Sequence, residues 1–235
     1  MDRNELYSSI AARTGGDIYI GVVGPVRTGK STFIKRFMDM LVIPTITDEY
    51  ERARLTDELP QSAAGRTIMT TQPSFVPNEA AELTIGDGAK CRIRLVDCVG
   101  YMVKGAVGHE EDNMPRMVRT PWSEEEMPFD RAAEIGTRKV ITDHSTIGIV
   151  MTTDGSITQI SREDYIPAEE RVVNELKEQG KPFAVILNSV HPQDAESAEV
   201  EDAGDVEILR VHLAVDAVYV LDAAEYRGVD ALGVE

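Results

Sequence analysis

"GVVGPVRTGKSTF", residues 21–33, is the stretch that decides the fold. Gly24, Gly29, Lys30 and Ser31 satisfy G-x-x-x-x-G-K-[ST], with the β-branched run "IYIGVV" (18–23) before them and a helical pattern over 30–41 after. In that context the motif has a mechanism. Glycines let the backbone curl so that successive N–H groups face phosphate oxygens. The helix N-terminus adds partial positive charge, the lysine bridges the terminal phosphates, and the serine hydroxyl reaches Mg²⁺. Gly24, Arg27, Thr28, Gly29, Lys30, Ser31 and Thr32 are therefore candidate cofactor-binding residues, with Lys30 also a catalytic candidate.

Outward from this loop, "RIRLV" (92–96), "TIGIVM" (146–151) and "FAVILN" (183–188) are further short apolar runs of the kind expected for strands buried on both faces. Helical patterns separate them, at 130–144 with Ala133, Val140 and Ile141 on one side, and at "EERVVNELKEQG", which closes on the capping glycine Gly180. Alternating strands and helices predict an α/β fold with a mainly parallel sheet and helices on both faces. Residues 57–80 and 100–129 show little regular pattern and are expected to be nucleotide-responsive switches.

A magnesium site needs a second anchor, and "RLVDCVG" supplies it. Asp97 ends a strand and Gly100 follows in the D-x-x-G spacing of the GTPase-like (TRAFAC) class of P-loop NTPases. Asp97 is expected to hold Mg²⁺ through water, and the Gly100 N–H to contact the γ-phosphate. Between the two motifs, "TIMTT" offers Thr67, Thr70 and Thr71; Thr70 and Thr71 are the catalytic candidates, and Thr70 joins Ser31 and Asp97 as a metal candidate. Tyr101 stands where Ras-like proteins place a water-orienting glutamine, so intrinsic turnover should be slow. Arg27 occupies the position of the cation-coordinating asparagine of potassium-activated GTPases, where a guanidinium could supply fixed positive charge to catalysis. At the base-reading motif N-K-x-D the chain reads Asn188, Ser189, Val190, His191. Asn188 remains a cofactor-binding candidate, but the guanine-reading carboxylate is gone, and with it the energetic reason to prefer guanine.

The net charge of −17 argues against a nucleic-acid or anionic-lipid surface. No apolar export signal or membrane-spanning run is visible, and Cys91 and Cys98, in or beside one strand, fit small buried residues in a reducing compartment. A cytoplasmic location is the expectation. From Gln193 onward 12 acidic residues face only Arg210 and Arg227, and lysine disappears.

Longer strings narrow the reading. "GGDIYIGVVGPVRTGKSTFIKRFM", "DELPQSAAGRTIMTTQPSFVPNEA", "RLVDCVGY", "PRMVRTPW" and "AAEIGTRKVITDHSTIG" closely resemble the N-terminal ATPase region of the stage IV sporulation protein A family of endospore-forming Bacilli and Clostridia. The resemblance covers about residues 1–193, taken as one domain; 194–235 reads as an acidic tail departing from the family, as a frame-shifted or truncated gene would give, with the family's middle and C-terminal domains absent. It implies an ATPase that uses ATP and Mg²⁺, with Lys30, Asp97, Thr70 and Thr71 at the family's functional positions. ATP hydrolysis would be coupled to self-assembly of the spore-coat basement layer in the mother-cell cytoplasm, at the outer forespore membrane. The implied partners are further copies of the chain, a small amphipathic membrane-anchoring protein and other coat proteins, with no nucleic acid. Two other readings stand beside it: a nucleotide-regulated binding scaffold with little turnover, and a GTPase of the ribosome or translation type.

Overall fold

A computed structural model describes residues 17–60, 72–85, 89–111, 114–193 and 208–211. The described residues open with β1 (Asp17–Val23), the phosphate loop and α1 (Lys30–Phe37), which continues through a π turn, Met38–Val42. Then come α2 (Glu49–Asp57), β2 (Ser74–Ile85) and β3 (Ala89–Asp97). A ribbon follows, made of β4 (Glu110–Glu111) with β5 (Met114–Pro115) and β6 (Met117–Thr120) with β7 (Ser123–Pro128). β7 runs directly into α3 (Phe129–Lys139) and a second π turn, Val140–His144. β8 (Ile147–Thr153), α4 (Arg162–Glu178), β9 (Phe183–Asn188) and β10 (Ile208–Val211) follow among the described residues.

Six strands form the central sheet in the order β10-β9-β8-β1-β3-β2, parallel except for β2, which runs antiparallel to β3 at the edge. Sequence and structure agree on the four central strands, whose near-continuous apolar runs follow from burial on two faces. On one face the π turn after α3, and α4, bring Val140, Ile141, Tyr165, Val172 and Leu176 onto Val23, Val96, Val150 and Val185. On the other, Ile34, Met38, Val42 and Leu55 cover Ile18, Val22, Ile93, Leu95 and Met151. α4 ends as its glycine predicts: Gly180 N–H donates to the Lys177 carbonyl and Lys181 N–H to that of Leu176, the paired bonds of a Schellman cap.

The two intervals of little sequence pattern both hold strands among their described residues, while residues 61–71 of the first lie outside them. β2 occupies the end of the first, its alternation hidden by Pro77 and by a register shift between Val76 and Ala81. The ribbon occupies much of the second, in strands too short and too exposed to produce a period of two. α2 also escapes the sequence, because it buries only Leu55; Asp48 caps it by accepting from Glu51 N–H. α4 begins before Pro167, a residue that reads as a helix breaker. β10 lies beyond residue 193 and pairs with β9.

Candidate functional site

The chain leaves β1 toward β3 on one side and β8 on the other, so the crevice at the carboxyl end of β1 is where a parallel sheet of this kind places a ligand. The phosphate loop fills that position and rests on its neighbours. A Cβ on Gly24, whose φ is 137°, would stand 2.2 Å from the Met151 carbonyl oxygen of β8. Only glycine lets the loop lie that low. Thr28 Oγ1 donates to the Pro25 carbonyl at 3.0 Å, and Asn188 Nδ2 donates to the Thr28 carbonyl at 3.2 Å. Asn188 thus braces the phosphate loop from β9.

Lys30 and Ser31 open α1, whose first turn has no acidic residue and whose last turn carries Lys35 and Arg36, the charge order that complements the helix dipole and leaves the N-terminus to an anion. Thr32 follows in that first turn. Lys30 Nζ is buried and donates to the Pro25 carbonyl at 2.5 Å and, at the limit of a bond, to Gly24 at 3.5 Å. Burial lowers its pKa, while Cys98 and Asp97 oppose that shift. Phosphate oxygens would give this ammonium the full counter-charge that carbonyls cannot. Arg27 holds φ at 63°, a left-handed conformation unusual for arginine, and its charge is near enough to Tyr165 of α4 to oppose the rise that burial gives the phenol.

Ser31 Oγ donates to Asp97 Oδ2 at 2.6 Å, joining the start of α1 to the end of β3. Asp97 Oδ1 is buried and has no hydrogen-bond partner among the described residues. Desolvation raises the Asp97 pKa against the Ser31 bond and the Lys30 charge. A carboxylate with an unsatisfied buried oxygen beside a hydroxyl is a hard-oxygen donor pair that fits Mg²⁺, which takes one or two protein ligands and completes its shell with phosphates and water. Among the described residues no group of three or more His, Cys, Asp or Glu forms a metal cage of its own. Cys98, next in sequence, is a free thiol pushed by burial to about 11.

Gly100 lies over the phosphate loop. With φ at 99°, it has no room for a Cβ, which would meet the Gly24 carbonyl oxygen at 2.3 Å and Lys30 Nζ at 2.6 Å. Its N–H donates to Thr137 Oγ1 of α3 at 3.1 Å. The backbone of Tyr101 is sewn to the loop: its N–H donates to the Gly24 carbonyl and its carbonyl accepts from Val26 N–H. Its side chain points away from the phosphates into the packing between α3 and α4. The hydroxyl donates to Glu175, and the Arg171 guanidinium stacks 4.1 Å above the ring while pairing with Glu134 and Glu175. At the base end, Ser189 Oγ donates to Asp154 Oδ2 at 2.5 Å, and Ser156 N–H and Oγ donate to Oδ1 of the same carboxylate.

The structure therefore gathers Gly24, Thr28, Gly29, Lys30, Ser31, Asp97, Gly100 and Asn188 into one site. Thr67, Thr70 and Thr71 lie outside the described residues. Sequence reasoning missed Thr137 and Asp154. "AAEIGT" carried one signal for the first, since Ala132, Ala133, Gly136 and Thr137 make a small buried face that lets α3 approach the 97–101 segment.

Parallel sheet, antiparallel edge strand, phosphate loop and facing aspartate define a P-loop NTPase fold of the GTPase-like class. The sequence model described as "Stage IV sporulation protein A, ATPase domain" matches residues 1–224, and the chain belongs to that family. Stage IV sporulation protein A of Bacillus subtilis strain 168 is 63% identical over 197 residues, covering 84% of this chain and 40% of that protein. The Bacillus anthracis protein is 62% identical over 203 residues, covering 86% and 41%. That of Clostridioides difficile strain 630 is 55% identical over 214 residues, covering 89% and 44%. The chain thus spans about two-fifths of the length of these relatives. Among solved structures, a variant of SsGBP covers 90% of this chain and 54% of its own at 14% identity, with a TM-score of 0.44. A GTP-binding protein from Sulfolobus solfataricus in complex with GDP covers 90% and 51% at 15% identity, with a TM-score of 0.41.

Proposed function

We propose that this site binds Mg-ATP and hydrolyses it slowly, and that in the longer proteins of the family hydrolysis drives self-assembly of the spore-coat basement layer on the forespore surface, in the mother-cell cytoplasm. The observation that carries the nucleotide reading is the shared junction of Lys30, Ser31 and Asp97 beneath Gly100, with one carboxylate oxygen unsatisfied. Ser31 and Asp97, with Thr70, would hold Mg²⁺, which when bound neutralises phosphate charge and orients the terminal phosphoryl group. Lys30 binds the terminal phosphates, Arg27 to Thr32 present backbone donors, and Arg27 adds fixed positive charge beside the loop. Thr70 and Thr71 would order around the γ-phosphate. This reading takes adenine as the base, supported by the family's ATPase description and by the lost guanine reader at β9: Ser189 is spent on Asp154, and His191 cannot accept guanine's two protons as an aspartate does. Further copies, a small amphipathic membrane anchor and other coat proteins are proposed as partners of the longer proteins.

The burial of the Tyr101 side chain against Glu175 supports the second reading, a scaffold that holds nucleotide with little turnover, because the residue after Gly100 presents nothing to an attacking water. One assay separates these readings. Phosphate release is measured with ATP and GTP in equal competition, with and without potassium, for wild type, Lys30→Ala and Arg27→Ala. Slow ATP turnover lost in Lys30→Ala, independent of potassium and slowed more than binding is weakened in Arg27→Ala, is the expected pattern. Preference for GTP would overturn the base assignment, and binding without turnover would establish the scaffold.

A further inference from the structure

The amide best placed to sense a terminal phosphate is already occupied. A Cβ built on Gly100 would stand 2.6 Å from Lys30 Nζ, and Lys30 is the side chain that the phosphate loop offers to the end of a nucleotide. Yet the Gly100 N–H donates to Thr137 Oγ1, a fully buried hydroxyl in the last turns of α3. The segment is fixed on both sides of this amide. Asp97 is tied to Ser31, and the Tyr101 backbone is tied to Gly24 and Val26. What remains adjustable is the peptide entering Gly100, at a glycine with φ of 99°, where a change of backbone angle costs least.

We propose that Thr137 is a positioning residue that holds the Gly100 N–H away from the terminal phosphate until a triphosphate, and not a diphosphate, claims it. The inference rests on the reading of the site as one for Mg-ATP and adds a rule for how the γ-phosphate is distinguished. A neutral hydroxyl acceptor is weaker than an anionic phosphate oxygen, so the exchange is favourable when the γ-phosphate is present. A diphosphate offers nothing at that position, and the N–H stays with Thr137. Transfer removes one attachment of α3 to the post-β3 segment and leaves the Thr137 hydroxyl with the Cys98 thiol. The same helix carries Glu134, which pairs with Arg171 above Tyr101, so occupancy by the γ-phosphate is passed to the α3–α4 packing.

The test is the affinity ratio of a non-hydrolysable Mg-ATP analogue to Mg-ADP, measured by titration calorimetry on the whole chain. Thr137→Val is isosteric and removes the acceptor. The free and ADP-bound states lose a bond that the triphosphate-bound state never had, so the analogue should bind about tenfold tighter while ADP affinity stays unchanged. Thr137→Ser keeps the hydroxyl and should restore the wild-type ratio, and Thr137→Ala serves if valine disturbs the helix. In the wild-type chain the Gly100 amide proton resonance should move with the analogue and not with ADP. A ratio unchanged in Thr137→Val and Thr137→Ala, or equal movement of the amide with both nucleotides, would overturn the proposal. Wild-type protein that binds neither nucleotide would overturn the site reading, and this inference with it.

Discussion

The phosphate end of the sheet and the ribbon at 107–128 both attach to α3, and they are built in opposite ways. At the phosphate end, backbones approach so closely that Gly24 and Gly100 have no space for a methyl group. Among the buried side-chain polar atoms described there, Asp97 Oδ1 is left without a partner, as a site that would take a cation requires. The ribbon is two short ladders carrying exposed Met114 and Met117, with exposed Val107 just before them. Buried His109 Nδ1, Thr120 Oγ1 and Trp122 Nε1 find no partner there among the described residues. The difference teaches where each kind of specificity sits. Fixed chemistry is imposed by close backbone contact, which tolerates no substitution, whereas the ribbon is held by few contacts and can change without disturbing the site.

The sharpest way to break this contrast is Gly100→Ala. A Cβ at 2.3 Å from one carbonyl oxygen and 2.6 Å from the Lys30 ammonium must push the post-β3 segment off the phosphate loop, and the residue would also be held at an unfavourable φ. Turnover should fall by at least ~100-fold, the cost of displacing reacting groups by about an ångström. Phosphate-release kinetics measure it. Activity near wild type would mean that the segment is loose and that the close approach is not a constraint.

The same contrast explains what the sequence disclosed. The phosphate loop, Asp97, Gly100 and Asn188 were legible because their chemistry is local: each belongs to a short motif whose spacing is set by one turn at the end of one strand. Central strands were legible because burial on two faces writes continuous apolar runs. β2 was not, since Pro77 and a bulge break its alternation, nor was α2, which buries only Leu55. The bonds from Gly100 to Thr137 and from Ser189 to Asp154 join residues far apart in the chain, and no local pattern announces them. The sequence shows Tyr101 standing where Ras-like proteins place a glutamine, but its destination depends on Arg171 and Glu175 of α4, which only the packing reveals.

Tyr101→Phe sharpens the comparison by separating backbone from side chain at one residue. Its backbone pairing with Gly24 and Val26 remains, while the hydroxyl bond to Glu175 is lost and that carboxylate keeps only Arg171. Loss of a hydrogen bond to a charged partner at a half-buried site should cost about 1–2 kcal/mol, visible as a lower denaturation midpoint in urea. Turnover should stay within about twofold of wild type, because the phenol does not face the phosphates. A large fall in turnover with little loss of stability would place the Tyr101 hydroxyl in the hydrolytic step, and the water-orienting position would then be filled after all.

The smallest effect is expected in the ribbon, from Met114→Thr and Met117→Thr together. These side chains are 67% and 51% exposed, so little apolar area leaves the interior when they are replaced, and threonine suits an extended backbone. Stability should change by no more than about 0.5 kcal/mol, as for surface substitutions remote from caps and cores. Turnover and ATP affinity should be unchanged, since α3 meets Gly100 through Thr137 and Arg171 through Glu134, and neither contact includes the methionines. Urea denaturation and phosphate release on the same preparation decide it. Turnover that falls while the urea midpoint holds would show that the ribbon restrains α3 during the cycle, and the division between a fixed phosphate end and a tolerant ribbon would fail at the helix they share.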